Sequence, residues 1–136
     1  CAMMTLMAEK DLEEFDKHSD VPIRINSVSK AKRGDIIAIT FVFSGMELTD
    51  DLRAHVVYDL KIVGPDGELY EDTDLKSQEA TRRKLITRFK FYHNDSMVMI
   101  RFEPKDKLGE YKFTAELRDL IGKKKTSFHA ELELAE

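Results

Sequence analysis

The largest apolar side chains recur at every second position of the stretch Ile36-Ile37-Ala38-Ile39-Thr40-Phe41-Val42-Phe43. Side chains of a β-strand point alternately to the two faces of its sheet, so this period of two predicts a strand with one face in a core and one in water. The same alternation returns in residues 113–117 and 128–134. Several such strands joined by turns are typical of an antiparallel β-sandwich or barrel. We therefore predict an all-β protein, and this fold class does not by itself define a function.

Turn signals separate the predicted strands. The sequence Gly64-Pro65-Asp66-Gly67 predicts a tight turn, because proline fixes φ and glycine accepts positive φ. Residues 46–54 are expected to form a loop with a short helix at 50–53, and residues 71–83 a polar crossing loop. The predicted strands are 21–25, 36–43, 55–63, 68–70, 85–92, 98–102, 111–118 and 126–134. These seven or eight strands are expected to form one β-sandwich domain over residues 21–136.

Residues 1–20 precede this domain and carry a different pattern. Met4, Leu12 and Phe15 have the spacing of one helical face, which predicts an amphipathic helix over residues 3–18. The predicted strand around residues 97–102 is apolar on both faces, and we expect the helix to cover its outer side.

Three interpretations of the first residues remain open. In the first, Cys1 carries lipid and anchors a lipoprotein to a membrane. In the second, the segment is the end of a signal peptide that is cleaved near Ala8 and Glu9. In the third, it is only the start of the amphipathic helix. The first two interpretations predict a protein of the periplasm or cell surface.

The composition excludes several classes of function. The chain has 136 residues, which suits one domain, and its 26 acidic and 22 basic residues are mixed along it to give a net charge of −4. No basic face is evident, so nucleic acid is not an expected partner. Cys1 is the single cysteine, which leaves no internal disulfide. No apolar run is long enough to predict a membrane-spanning helix.

The sequence Asp106-Lys107-Leu108-Gly109-Glu110-Tyr111 resembles the tyrosine corner of immunoglobulin-like domains. The resemblance implies that the Tyr111 hydroxyl binds a backbone group of residues 105–109, with Gly109 as the small residue two positions earlier. It also places Phe113 where antibody domains have their second cysteine, so that Phe113 packs across the core against Phe41 or Ile39. The chain has no tryptophan, which excludes an antibody-type domain.

The wider layout resembles the immunoglobulin-like modules of small exported bacterial proteins. This resemblance is carried by Phe43-Ser44-Gly45, Tyr58-Asp59-Leu60, the turn at 64–67 and Leu108-Gly109-Glu110-Tyr111. It implies a periplasmic module and supplies no activity.

No pattern of catalytic residues stands out. The sequence lacks a Gly-x-Ser-x-Gly elbow, a glycine-rich phosphate loop and a His-x-x-x-His pair. We therefore predict neither an enzyme nor a cofactor, and no metal site. One alternative stays open: carboxylates of residues 47–51 and of residues 71–74 on a common rim would suit Ca²⁺.

The candidate binding residues fall into two groups. Arg88, Lys90 and Tyr92 share the outward face of the predicted strand 85–92, where cations beside an aromatic ring suit a protein or glycan ligand. Asp50, Asp51 and Asp72 lie in loops that we expect to meet at a rim. The sequence thus predicts a non-catalytic binding or adaptor module for a protein or glycan.

Two other functions remain as alternatives. One is a structural or assembly protein that forms homo-oligomers through its N-terminal helix or an edge strand. The other is a small hydrolase or metal-dependent enzyme whose site is formed by loops.

Overall fold

The computed structural model describes residues 2–8, 28–82, 84–85, 92–94 and 98–136, with Asp72 described by its backbone alone. Within these ranges every regular element is a strand, and none is a helix that could cross a membrane. The strands are β1 Ala2–Ala8, β2 Lys30–Lys32, β3 Ile36–Phe43, β4 Val56–Val63, β5 Leu69–Thr81, β6 Tyr92–His93, β7 Val98–Arg101, β8 Gly109–Asp119 and β9 Lys124–Ala135.

These strands form two sheets. In the four-stranded sheet β3 pairs with β1 on one side and with β6 and β7 on the other. The five-stranded sheet has the order β2-β9-β8-β4-β5, and only β2 and β9 pair in parallel. The predicted all-β class with two packed sheets is confirmed.

One hydrophobic core joins the two sheets. Phe41 from β3 and Phe113 from β8 are both fully buried in it. The ring of Phe41, however, contacts Tyr58 and Phe128, with centroids 4.8 and 6.1 Å apart. The predicted Phe41–Phe113 pair is therefore not a ring contact among the described residues, although both rings belong to the same core.

The strand β3 is buried on both faces. Its inward residues include Ile39 and Phe41, as the alternation predicts, but the outward Ala38, Thr40 and Val42 are also buried. The expectation of a wet outer face is therefore wrong for β3. Because β3 lies between β1 and β7 in the sheet, both of its edges are also hydrogen-bonded to neighbouring strands.

Residues 2–8 form a strand and not the start of a helix. Every residue of β1 pairs with β3, from Ala2 opposite Phe43 to Ala8 opposite Ile37. Alanine, methionine and leucine favour helices, but this pairing satisfies the backbone groups of β1 that face β3, and Leu6 is buried in the core. The predicted helix is wrong for residues 3–8, and its remainder, 9–18, lies outside the described residues, as does the boundary at residue 20.

The expected packing of an N-terminal helix on the strand at 97–102 depends on residues that lie partly outside the described part of the chain. Met97, Leu12 and Phe15 lie outside the described residues, whereas Met99 is about half exposed on β7. Met4 belongs to β1 and packs against the core between the sheets. A cleavage near Ala8 would separate β1 from the sheet to which it contributes.

The polar stretch after the first hairpin is a strand. The sequence predicts a loop over residues 71–83, but β5 spans Leu69–Thr81 at the edge of the five-stranded sheet. Its pairing with β4 shifts register, and Glu71 and Ser77 have positive φ values of 45° and 49°. These irregularities interrupt the alternation by which a strand is recognised.

The remaining local predictions have different outcomes. The turn at 64–67 is present, with the Gly67 amide donating to the Gly64 carbonyl at 3.0 Å. Residues 50–53 form a turn and not a helix, because Leu52 has a φ of 66°. The predicted strand 21–25 and residues 86–91 lie outside the described part of the chain.

The hydrogen bond of the predicted tyrosine corner is present. The Tyr111 hydroxyl donates to the Lys107 carbonyl oxygen at 2.8 Å. Gly109 has a φ of 133°, and a Cβ at this position would lie 2.9 Å from the Cβ of Pro65. Glycine at 109 thus allows the loop before β8 to approach the turn at 64–67.

Residues 28–32 touch both sheets. The Val28 amide donates to the Leu6 carbonyl of β1 at 2.8 Å, in the four-stranded sheet. Directly afterwards, β2 pairs with Glu133, Leu134 and Ala135 of β9, in the five-stranded sheet. This short segment is therefore hydrogen-bonded to both sheets.

Candidate ligand-binding groove

The outer face of the five-stranded sheet is a polar surface. Because alternate residues of β4, β8 and β9 fill the core, the residues between them point outward. The strand register places Asp59 opposite Glu116, and Glu116 opposite Ser127. Polar side chains from three neighbouring strands therefore lie in a row across the sheet.

A groove with a volume of about 340 Å³ follows this row. Its lining combines the short polar side chains of Thr114 and Ser127 with longer charged side chains. Cavities that hold small ligands begin at about 300 Å³. The charged side chains that line the groove are Asp59, Lys61, Asp74, Lys76 and Glu116.

Arg118 fixes the carboxylates on one side of the groove. Its Nη1 and Nη2 atoms donate to Asp59 Oδ2 and Oδ1 at 2.7 and 3.0 Å, a bidentate geometry. Nη1 also reaches Glu116 Oε1 at 3.2 Å, and Nη2 donates to Ser77 Oγ at 2.8 Å. Because like charges directly opposite in a sheet repel, Arg118 offsets the repulsion between Asp59 and Glu116.

This pairing sets the charge of Asp59. The hydrogen bond from Arg118, together with one from the Ser77 backbone amide, lowers the pKa of the Asp59 carboxyl below its usual value. The pKa of Arg118 is raised by its hydrogen bonds to Asp59 and Glu116. Asp59 is therefore an ionised hydrogen-bond acceptor in a fixed position.

The other charges of the groove are less constrained. Lys76 Nζ lies 3.3 Å from Asp74 Oδ1 on β5. Lys61 is exposed and forms no ion pair with a described residue. Among the described side chains, no group of three or more His, Cys, Asp or Glu is placed to hold a metal ion.

The residues predicted for the outward face of 85–92 do not contribute to this groove. Arg88 and Lys90 lie outside the described residues. Tyr92 belongs to β6 in the four-stranded sheet, where it is half-buried and packs against the core. Its predicted outward position is wrong, because this tyrosine supplies apolar contact area to the interior.

The predicted acidic rim is not formed either. Asp50 and Asp51 lie in an exposed turn before Val56, at one end of β4. Asp72 falls in β5 between Leu69, which pairs with Val63, and Asp74, which pairs with Lys61, near the other end. At about 3.4 Å per residue the two ends are about 17 Å apart or more. The calcium rim built on the same loops fails for the same reason.

A second cavity of about 210 Å³ lies beside the tyrosine corner. Its buried Asp106 accepts hydrogen bonds on Oδ2 from the Tyr70 hydroxyl and the Glu103 amide, both at 2.7 Å. Burial, and then the nearby Asp106 carboxylate, raise the pKa of Tyr70. Arg33 donates to the Asp106 carbonyl at 2.7 Å through Nη2. These contacts fix the loop before β8, and we therefore take the groove as the candidate site.

The groove residues carried a weak signal in the sequence. Thr114 and Glu116 occupy outward positions of a predicted strand, as does Ser127 on the next one. What the sequence lacks is the register that places Asp59 beside Glu116 and Arg118.

Comparisons with known proteins give a likeness of fold. No protein-family model matches the sequence, and no curated protein matches it. Among solved structures, the chain is similar to a family 123 glycoside hydrolase from Clostridium perfringens that was analysed for glycolipid glycan hydrolysis. The TM-score is 0.52 at 12% identity, and the match covers 99% of this chain and 27% of the enzyme. The chain thus corresponds in fold to about a quarter of that enzyme's length.

Proposed function

We propose that this protein is a non-catalytic, immunoglobulin-like binding module that recognises a glycan through the groove and acts in the periplasm or at the cell surface. The observation that carries the proposal is the bidentate Asp59–Arg118 pair in a groove with exposed ammonium and hydroxyl groups. Sugar hydroxyls both donate and accept hydrogen bonds, and acceptors and donors held side by side can satisfy both roles.

The immunoglobulin-like assignment is supported by the strand order. The order β2-β9-β8-β4-β5 corresponds to A′-G-F-C-C′ of a variable-type immunoglobulin sheet, in which C′ extends the G-F-C strands. The tyrosine corner lies at the start of the penultimate strand, as it does in such domains.

The lowered pKa of Asp59 makes this carboxyl unsuited to act as the proton donor of a glycoside hydrolase. Glycoside hydrolysis needs one carboxylic acid with a raised pKa to protonate the leaving oxygen. Arg118 has the opposite effect on Asp59, because it stabilises the ionised form. Such a carboxylate is suited to accept hydrogen bonds from ligand hydroxyls.

The fold likeness supports the same class of function. The enzyme that resembles this chain acts on glycans, and only 27% of its length corresponds to the chain. A protein ligand is the alternative within the binding class. Assembly through an edge strand has less support, because the register shifts of β5 disrupt the ladder to which a second copy would pair.

A glycan array probed with the purified protein, followed by calorimetry on the bound glycans, tests the proposal. We expect Lys61→Ala to weaken binding about tenfold or more, the effect of losing one hydrogen bond to a charged group. The matched control is Lys112→Ala, which removes an exposed lysine from the same sheet face outside the groove. Equal loss in both variants, or no bound glycan at all, would reject the groove as the site.

A further inference from the structure

We infer that the ligand is an uncharged oligosaccharide that lies across the strands of the five-stranded sheet. This inference rests on the proposed function and specifies its ligand. It follows from the charge balance of the groove, from the alternation of its donors and acceptors, and from its direction relative to the strands.

The charges around the groove cancel. The lining carboxylates of Asp59, Asp74 and Glu116 are balanced by the lining cations Lys61 and Lys76 and by Arg118, which lies beside the groove and binds Asp59 and Glu116. An anionic sugar would lie beside three carboxylates, and a cationic sugar beside two lysines with Arg118 close by. Neither charge gains net attraction, whereas a neutral ligand has no charge of its own to desolvate.

Donors and acceptors alternate along the groove. The Asp74 carboxylate lies next to the Lys76 ammonium, and the register sets Lys61 of β4 opposite Thr114 of β8. On the far side, Ser127 is the cross-strand neighbour of Glu116. A polyhydroxylated chain can therefore donate to a carboxylate and accept from a neighbouring ammonium or hydroxyl along its whole length.

The groove runs across the strands. Its lining begins with Asp74 and Lys76 on β5, crosses β4 and β8, and ends with Ser127 on β9. Four adjacent strands enclose three spacings of about 4.8 Å, which gives a length of about 14 Å. This length exceeds one sugar ring and accommodates several units in a row.

The test uses arrays that carry neutral, anionic and cationic oligosaccharides, read at low and at high salt. We expect neutral oligosaccharides to bind with affinities that change little with salt, because an uncharged ligand makes no ion–ion attraction to the groove that salt could screen. Calorimetry with the mono-, di- and trisaccharide of the best-bound glycan should show that affinity rises on the order of tenfold from one to three sugar units.

Two substitutions at the ends of the groove test its direction. Asp74→Asn on β5 and Ser127→Ala on β9 should each weaken binding of the trisaccharide. Binding of the monosaccharide should be weakened by at most one of the two substitutions. Thermal melts of both variants check that the fold is intact. A monosaccharide that binds as tightly as the trisaccharide would overturn the cross-strand orientation.

The outcomes separate this inference from the proposed function. Binding of charged glycans, or an affinity that falls with salt, would overturn the inference and leave the groove as a glycan site provided that Lys61→Ala still weakens binding. Absence of binding to glycans of every charge would overturn both.

Discussion

At the scale of single residues, Tyr111 links the start of β8 to the loop before it. Its hydroxyl donates to the Lys107 carbonyl, and its ring contacts those of Tyr70 and Phe102 with centroids 5.3 and 5.1 Å apart. The hydroxyl is thus the polar end of a buried aromatic cluster. The tyrosine satisfies a loop carbonyl and fills the core at the same time.

We predict that Tyr111→Phe lowers the free energy of unfolding by about 1–2 kcal/mol, because the Lys107 carbonyl loses its donor while the ring stays in place. Denaturant unfolding measures this loss. The matched control is Tyr58→Phe, another buried tyrosine, whose hydroxyl has no hydrogen bond to a described residue. A loss at position 58 as large as that at 111 would contradict a specific role for the corner.

A second single residue shows what the sequence alone does not reveal. Asn94 begins an Asn-Asp-Ser triplet of the type that accepts glycans in surface loops. In the structure its side chain is fully buried, and Oδ1 accepts the Phe41 amide at 3.0 Å. The side chain extends the pairing of β3, so it is not accessible for modification in the folded protein.

At the scale of elements, β1 joins the four-stranded sheet along its full length, and its side chains differ in burial from one position to another. Leu6 is 3% exposed and belongs to the core, whereas Met3 is 46% exposed. Both are long apolar side chains on the same strand, and they allow a direct comparison of buried and exposed positions.

We predict that Leu6→Ala costs about 2–5 kcal/mol of stability, the range for a large aliphatic side chain removed from a core. Met3→Ala should change the free energy of unfolding by no more than about 0.5 kcal/mol, as substitutions of exposed residues usually do. Thermal or denaturant unfolding of both variants measures the difference. Equal and small losses would show that β1 contributes little to the fold.

The elements that the sequence predicted well are those with one dominant pattern. For β3 the predicted and observed bounds agree, and for β8 and β9 they differ by two residues or fewer, because apolar residues alternate throughout. β5 was missed because polar residues occupy both of its faces and two positive φ values interrupt it. β1 was missed because its composition suits a helix and only the pairing with β3 decides its structure.

The groove could not be predicted for a related reason. Its outward residues were visible in the alternation, but which of them are neighbours depends on the pairing of β4 with β8, strands that are about 50 residues apart in the chain. The predicted acidic rim and the predicted outward position of Tyr92 were wrong because they also depended on strand pairings that the sequence does not reveal.

At the scale of the whole molecule, ionisable groups limit stability at both ends of the pH range. The folded pKa of Asp59 is lowered, so its contribution is present above the unfolded value of about 3.9 and is lost as the pH falls through the folded pKa. The folded pKa of Tyr70 is raised, so its contribution is present below the unfolded value of about 10 and is lost as the pH rises beyond it.

We therefore predict that the free energy of unfolding falls below about pH 4 and above about pH 10. Asp59→Asn should flatten the acid side of the profile, and Tyr70→Phe the alkaline side, because neither replacement titrates. Denaturant unfolding across the pH range measures both slopes. Acid and alkaline slopes that are unchanged in the two variants would contradict this assignment.

The parallel pairing of β2 with β9 determines how the domain would respond to a pulling force. A force applied before Lys30 and beyond Ala135 acts along two parallel strands in opposite directions, so their hydrogen bonds are loaded together in shear. Antiparallel neighbours pulled from one shared end would instead open one bond at a time. In a module tethered on both sides of this strand pair, tension would pass from β2 to β9 at the edge of the five-stranded sheet and would bypass β4, β5 and β8, which carry most of the groove.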